Sequence, residues 1–110
     1  MLERTIMLCC AAGMSTSLLV SKMQKAAREQ NKDVNIFATS ANEADQELDT
    51  RKIDCVLLGP QIRYMVKDFQ TKLAGRNNGQ DIPVSVIDMQ SYGTMNGTKV
   101  LAQAYDLIDQ

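Results

Sequence analysis

Cys10 and the small, hydroxyl-rich run behind it, Ala11-Ala12-Gly13-Met14-Ser15-Thr16-Ser17, carry the clearest chemistry in this chain of 110 residues. The run joins an apolar segment ending Met7-Leu8-Cys9-Cys10 to one opening Leu18-Leu19, the pattern of a strand leading into a helix. Backbone N–H groups at a helix start lack intrahelical partners, and the aligned peptide dipoles place partial positive charge at the same end. A thiolate is stabilised there, and so is a phosphate. Cys10 therefore reads as a nucleophile that accepts a phosphoryl group, cradled by Ala11, Ala12, Gly13, Met14, Ser15, Thr16 and Ser17. Gly13 supplies the backbone freedom of a tight anion-wrapping turn. Ser15, Thr16 and Ser17 offer hydroxyl donors, although capping of the helix alone would account for one of them.

Cysteine phosphatases use a loop of related design, Cys-x5-Arg-Ser/Thr, whose arginine clamps the transferring phosphoryl oxygens bidentately. Six residues on from Cys10 stands Thr16, and the loop has neither an arginine nor a carboxylate to serve as general acid. A cysteinyl phosphate here has little help toward hydrolysis and persists until an acceptor arrives. The chain also contains no histidine, so a Cys-His nucleophilic pair, a histidine metal site and a phosphohistidine must all come from elsewhere if they are used. No metal and no cofactor are expected.

The other two cysteines read as core. Strand alternation turns Cys9 to the opposite face from Cys10, and Cys55 opens an apolar run. Two competing readings stay open on the residues alone: a low-molecular-weight cysteine phosphatase, and a thiol redox or binding module using Cys9 and Cys10. With 12 basic and 13 acidic residues scattered along the chain, there is no electrostatic footprint for nucleic acid. No apolar run approaches a membrane span and residues 1–20 do not read as a signal peptide, so a cytoplasmic protein with no direct membrane insertion is expected. Three cysteines without framework spacing agree with a reducing compartment.

The elements that must position Cys10 follow from periodicity. Strands are expected at 4–9, 34–38, 53–58 and 83–87, the third a continuous apolar run suited to a central strand covered on both faces. A helix is expected at about 16–30, with Leu19, Met23, Ala26 and Ala27 as its buried stripe. Ser40-Ala41-Asn42-Glu43 is a capping-box pattern opening a helix to about residue 50. Pro60 suits the first position of a helix carrying Ile62, Met65, Val66, Phe69 and Leu73, which Gly75 stops. Asn78-Gly79 marks a turn, Tyr92-Gly93 falls in a connection, and Val100, Leu101, Ala104, Leu107 and Ile108 line a last helix. Four strand-helix alternations imply an α/β, doubly wound domain spanning 1–110: a four-stranded parallel sheet of order 2-1-3-4, helices on both faces, and a phosphatase-like Cys loop after strand 1. Ligands of such sheets sit beyond the C-terminal strand ends where strand order reverses, which is where Cys10, Gly59-Pro60 and Asp88 fall. Met14, Met89 and Met95 are candidates for an adaptable apolar surface around the thiol, and Met23 and Met65 for core.

The segment Leu8-x-Cys10-x-x-Gly13-Met14-Ser15-Thr16-Ser17-Leu18-Leu19, followed by Val56-Leu57-Leu58-Gly59-Pro60-Gln61-Ile62 and by Tyr92-Gly93-x-x-x-Gly97, resembles the IIB component of the sugar phosphotransferase system, lactose/cellobiose (diacetylchitobiose) family. The resemblance covers essentially the whole chain. It implies that Cys10 takes a phosphoryl group from a phosphohistidine on a separate IIA protein and passes it to a sugar held by the membrane IIC component, the sugar being a β-linked disaccharide such as cellobiose or diacetylchitobiose. It also implies that the phosphate-binding loop runs from Ala11 to Ser17. Some relatives have a hydroxyl residue where this chain has Ala11, which removes one donor but leaves the backbone N–H.

Overall fold

The computed structural model describes residues 3–11 and 14–109, with the backbone alone for Met14 and Ser15. The elements follow as β1 (Arg4–Cys10), α1 (Met14–Glu29), β2 (Val34–Ser40), α2 (Ala44–Thr50), β3 (Cys55–Leu58), α3 (Val66–Leu73), β4 (Val84–Val86), α4 (Met89–Gly93) and α5 (Gly97–Ile108). All four strands are parallel, in the order β2-β1-β3-β4, as the alternation of elements predicts. The first crossover carries the chain outward from β1 to β2, and the next returns it past β1 to β3. Strand order therefore reverses between β1 and β3, and within β1 Cys9 pairs with Thr39 of β2 on one side and Leu58 of β3 on the other.

The period-2 alternation of the two central strands builds a core on each face. Ile6 and Leu8 of β1, with Cys55 and Leu57 of β3, pack against Leu19, Val20, Met23, Ala26 and Ala27 of α1 and Val100, Leu101 and Ala104 of α5. Met7 and Cys9, with Val56 and Leu58, face Ala44 and Leu48 of α2, Phe69 and Leu73 of α3, and Ile62. Cys9 and Cys55 are thus core residues, both fully buried. Among the described residues no helix is long and apolar enough to cross a membrane.

Element boundaries differ from the sequence expectation where side-chain bonding or backbone geometry decides them. α1 opens at Met14, two residues earlier than 16, and ends in a left-handed Asn31 (φ 56°) with the Lys32 N–H bonded to the Ala27 carbonyl at 2.9 Å. β2 runs on to Ser40 because β1 pairs with it up to Cys10↔Ser40. The Ser40 hydroxyl donates to Glu43 Oε1 at 3.1 Å and makes no cap bond to the backbone, so a 3₁₀ turn, Ala41–Glu43, precedes α2. A second 3₁₀ segment, Pro60–Met65, precedes α3, since Ile62 leaves helical geometry (φ −116°, ψ 27°) to bury its side chain. Asn78 and Gly79 both have positive φ, 55° and 90°, between reciprocal bonds linking Asn77 and Gln80 at 2.8 and 3.0 Å, the geometry of a mirror-image tight turn. The connection holding Tyr92-Gly93 contains a short helix, α4, which its polar sequence did not announce.

Candidate active site

Cys10 is the last residue of β1, one position earlier than a residue following the strand, and its side chain lies on the α1 side of the sheet by alternation from Ile6 and Leu8. Its Sγ sits 3.1 Å from Thr16 Oγ1, and either atom is able to donate. Both residues are buried: Cys10 is 3% exposed and Thr16 not at all. Thr16 thus occupies with a hydroxyl the place, six residues on, that an arginine holds in the phosphatase loop. The first turn of α1 carries Thr16 and brings the positive end of a 16-residue helix dipole to the C-terminal edge of the sheet.

Of the other expected cradle residues, Ala11 and Ser17 are exposed. Met14 and Ser15 lie in the first turn of α1, whereas Ala12 and Gly13 fall outside the described residues. The two remaining cysteines differ from Cys10 in environment. Burial pushes the Cys9 thiol up to about 12, helped by the adjacent Cys10 and opposed by Lys72. Burial, with Asp54 nearby, likewise pushes Cys55 up to about 12. Both are held as neutral thiols and are unsuited to nucleophilic work at neutral pH.

Two segments complete the rim around Cys10. Gly59 donates its N–H to the Cys9 carbonyl at 2.8 Å, which latches the chain after β3 to the end of β1. A Cβ at Gly59 would lie 2.9 Å from Gln61 Oε1 and in ordinary contact, 3.6 Å, with Cys10 Cβ, so a side chain there would displace the Gln61 amide. Gln61 in turn donates from Nε2 to the Tyr92 hydroxyl at 3.2 Å, tying this segment to α4. Asp88 caps α4, accepting from the Ser91 N–H at 3.0 Å and from its hydroxyl at 2.8 Å. Those bonds hold its carboxyl below the usual carboxylate range. Asp88 and Tyr92, residues without an evident task in the sequence, therefore order the rim.

The rim is apolar at its outer edge. Tyr64 is 77% exposed, Met89 60% and Leu18 52%. Beside Cys10, a cleft of about 230 Å³ is lined by Ala11, Ala41, Asn42, Ile62, Tyr64 and Met65. Of the methionines expected at this surface, Met89 is there, Met95 is half-buried against the α1/α5 core, and the Met14 side chain is outside the description. Met23 packs in the core as expected, and Met65, half-buried, leans on the other core while lining the cleft. Tyr64 and Leu18 were missed. Both lie in amphipathic helical segments where a single exposed apolar residue gives no periodic signal.

Comparison with known proteins agrees with this geometry. Residues 5–103 match the family model for the lactose/cellobiose-specific IIB subunit of the phosphotransferase system. The chain is 49% identical to a galactose-specific EIIB component of Lactococcus lactis subsp. cremoris, over 99% of this chain and 100% of that one. It is 48% identical, with the same coverage, to a cellobiose-specific EIIB component of Lactococcus lactis subsp. lactis. It is also 41% identical to an oligo-beta-mannoside-specific EIIB component of Bacillus subtilis, over 96% of each chain. The solution structure of a cellobiose-specific IIB component from Borrelia burgdorferi superposes with a TM-score of 0.75 at 36% identity, covering 97% of this chain and 93% of that one. The lactose-specific IIB domain from Streptococcus pneumoniae shares the fold at 17% identity, with a TM-score of 0.78 and coverage of 96% and 97%. Fold, strand order and whole-length similarity together place the chain in the lactose/cellobiose-specific IIB subunit family of the sugar phosphotransferase system.

Proposed function

We propose that this chain is the phosphocarrier of a sugar-uptake relay, a phosphocysteine–sugar phosphotransferase working on the cytoplasmic side of the membrane. In the first transfer Cys10 Sγ attacks the phosphorus of a phosphohistidine on a IIA protein. The S–P bond forms as the N–P bond breaks, and the thiol's proton ends on the released imidazole. In the second transfer a hydroxyl of a sugar held by the membrane IIC component attacks the same phosphorus. The S–P electron pair returns to sulfur and the hydroxyl's proton restores the thiol. The observation that carries this reading is the placement of Cys10 Sγ at the end of β1, 3.1 Å from the Thr16 hydroxyl and beside the N-terminal end of α1.

Such transfers need in-line positioning and charge stabilisation more than covalent help from the protein. Backbone N–H groups of residues 11–17 and the hydroxyls of Ser15, Thr16 and Ser17 are the donors that would hold the phosphoryl oxygens. The absence of histidine from the chain matches a division of labour in which the partner supplies it. A hydroxyl in the arginine's place leaves hydrolysis unassisted, which favours a carrier over a phosphatase. Relatives named for cellobiose and for oligo-beta-mannoside support a β-linked disaccharide such as cellobiose or diacetylchitobiose as the sugar, while the relative named for galactose is named for a monosaccharide.

The test is peptide mass spectrometry after incubation with phosphoenolpyruvate, the general phosphotransferase proteins and a cognate IIA. One phosphoryl group on the Cys10 peptide is expected, absent without IIA and absent in Cys10→Ala. No adduct from a demonstrably phosphorylated cognate IIA, or an adduct on another residue, would overturn the reading.

A further inference from the structure

We infer that the Thr16 hydroxyl is a hydrogen-bond donor to the reacting sulfur, stabilising its thiolate in both transfers. The inference rests on the phosphocarrier reading and assigns one hydroxyl of the loop a role in addition to gripping phosphate. Three observations converge on it. Thr16 is one of two buried polar or charged residues among those described, and it lies in the first turn of a helix, where a side chain of this type is ordinarily exposed. Its Oγ1 approaches Cys10 Sγ at 3.1 Å, well inside the range for a sulfur bond. The contact joins a strand end to a helix start across six residues, so it is fixed by two rigid elements and not by the loop between them.

The chemistry of the pair sets the direction of the bond. Between a thiol and a hydroxyl either group is able to donate, but a thiolate only accepts. Loss of the thiol proton therefore leaves Thr16 O–H as donor and Sγ as acceptor, a charge-assisted bond. When the S–P bond forms, the sulfur loses most of its negative charge and the hydroxyl is released toward the phosphoryl oxygens. When the S–P bond breaks, charge returns to sulfur and the hydroxyl turns back. The same donor thus stabilises Sγ as nucleophile in the first transfer and as leaving group in the second.

The experiment measures alkylation of Cys10 in the isolated full chain, with no relay proteins present. Rates with iodoacetamide and with N-ethylmaleimide at neutral pH are followed by peptide mass spectrometry in the unaltered protein and in Thr16→Val, Thr16→Ala and Thr16→Ser. Loss of a hydrogen bond to a charged group predicts a roughly tenfold slowing with both reagents in Thr16→Val and Thr16→Ala, and recovery to within about twofold in Thr16→Ser. A purely structural role predicts the opposite pattern: a loosened helix start speeds both reagents, and Thr16→Ser and Thr16→Ala then rank by thermal stability. Equal or faster alkylation in a folded Thr16→Val or Thr16→Ala would overturn the inference. Phosphorylation of the unaltered chain by IIA is scored separately, so a failure of the carrier reading and a failure of the Thr16 assignment give different results.

Discussion

Cys9 and Cys10 are neighbours in sequence with opposite fates, and the strand between them decides it. Cys9 is sealed into the α2/α3 core and raised to about 12, while Cys10 turns to the helix start and the Thr16 hydroxyl. Cys55, on the other face, is raised equally. An unfolded cysteine titrates near a pKa of about 8.5, so above that pH the unfolded chain releases protons that the folded chain keeps. Stability from these two thiols is full below about pH 8.5 and falls as pH rises toward their folded value of about 12. The limiting slope is about 1.4 kcal/mol per pH unit for each thiol, approached about one pH unit above 8.5 and read from urea unfolding between about pH 9.5 and 11. Cys55→Ala should remove half of it; an unchanged slope would show that burial of these thiols does not govern the alkaline limb. The alternation that separates Cys9 from Cys10 is legible in the sequence. The burial of Thr16 is not, because it depends on how far α1 extends toward the strand, and α1 begins two residues earlier than its apolar stripe shows.

At the scale of elements, helices with a continuous apolar stripe were readable, as was the seven-residue α2 that follows its capping-box residues, and the shortest, α4, was not. α5 and α3 follow directly from residues 100–108 and 62–73, whereas α4 has five residues and owes its existence to the Asp88–Ser91 cap. The approach of α5 to α1 explains Gly97, which the family motif contains but the sequence alone does not account for. A Cβ at this position would stand 2.6 Å from the Lys22 carbonyl oxygen and the Met23 nitrogen, all backbone atoms with no means of giving way. Gly97→Ala should therefore push α5 off α1 and destabilise the fold by roughly 1–3 kcal/mol, measured by urea titration. The control is Gly93→Ala, whose Cβ would meet nothing within 4 Å and which should change stability far less.

At the scale of the whole molecule, strand order was legible because four strand-helix alternations leave few unknotted right-handed arrangements. The apolar rim was not, since Leu18, Tyr64 and Met89 come from three separate segments that only the closed sheet gathers at one edge. A donor protein that reaches Cys10 must cover this edge. Tyr64→Asp should then slow phosphoryl transfer from IIA about tenfold, as for loss of an exposed aromatic anchor, while moving stability by less than about 0.5 kcal/mol. Equal rates for the two proteins would place the IIA contact elsewhere. The parallel sheet has one more effect, on oxidative damage. Cys9 lies across the sheet from Cys10, and Cys55 pairs with Ile6, four residues down the strand and so about 13 Å away. A sulfenic acid formed at Cys10 has no thiol of its own chain to resolve it. Its rescue depends on small thiols from outside, so on the proposed function a peroxide burst would threaten irreversible over-oxidation of the atom that carries the phosphoryl group.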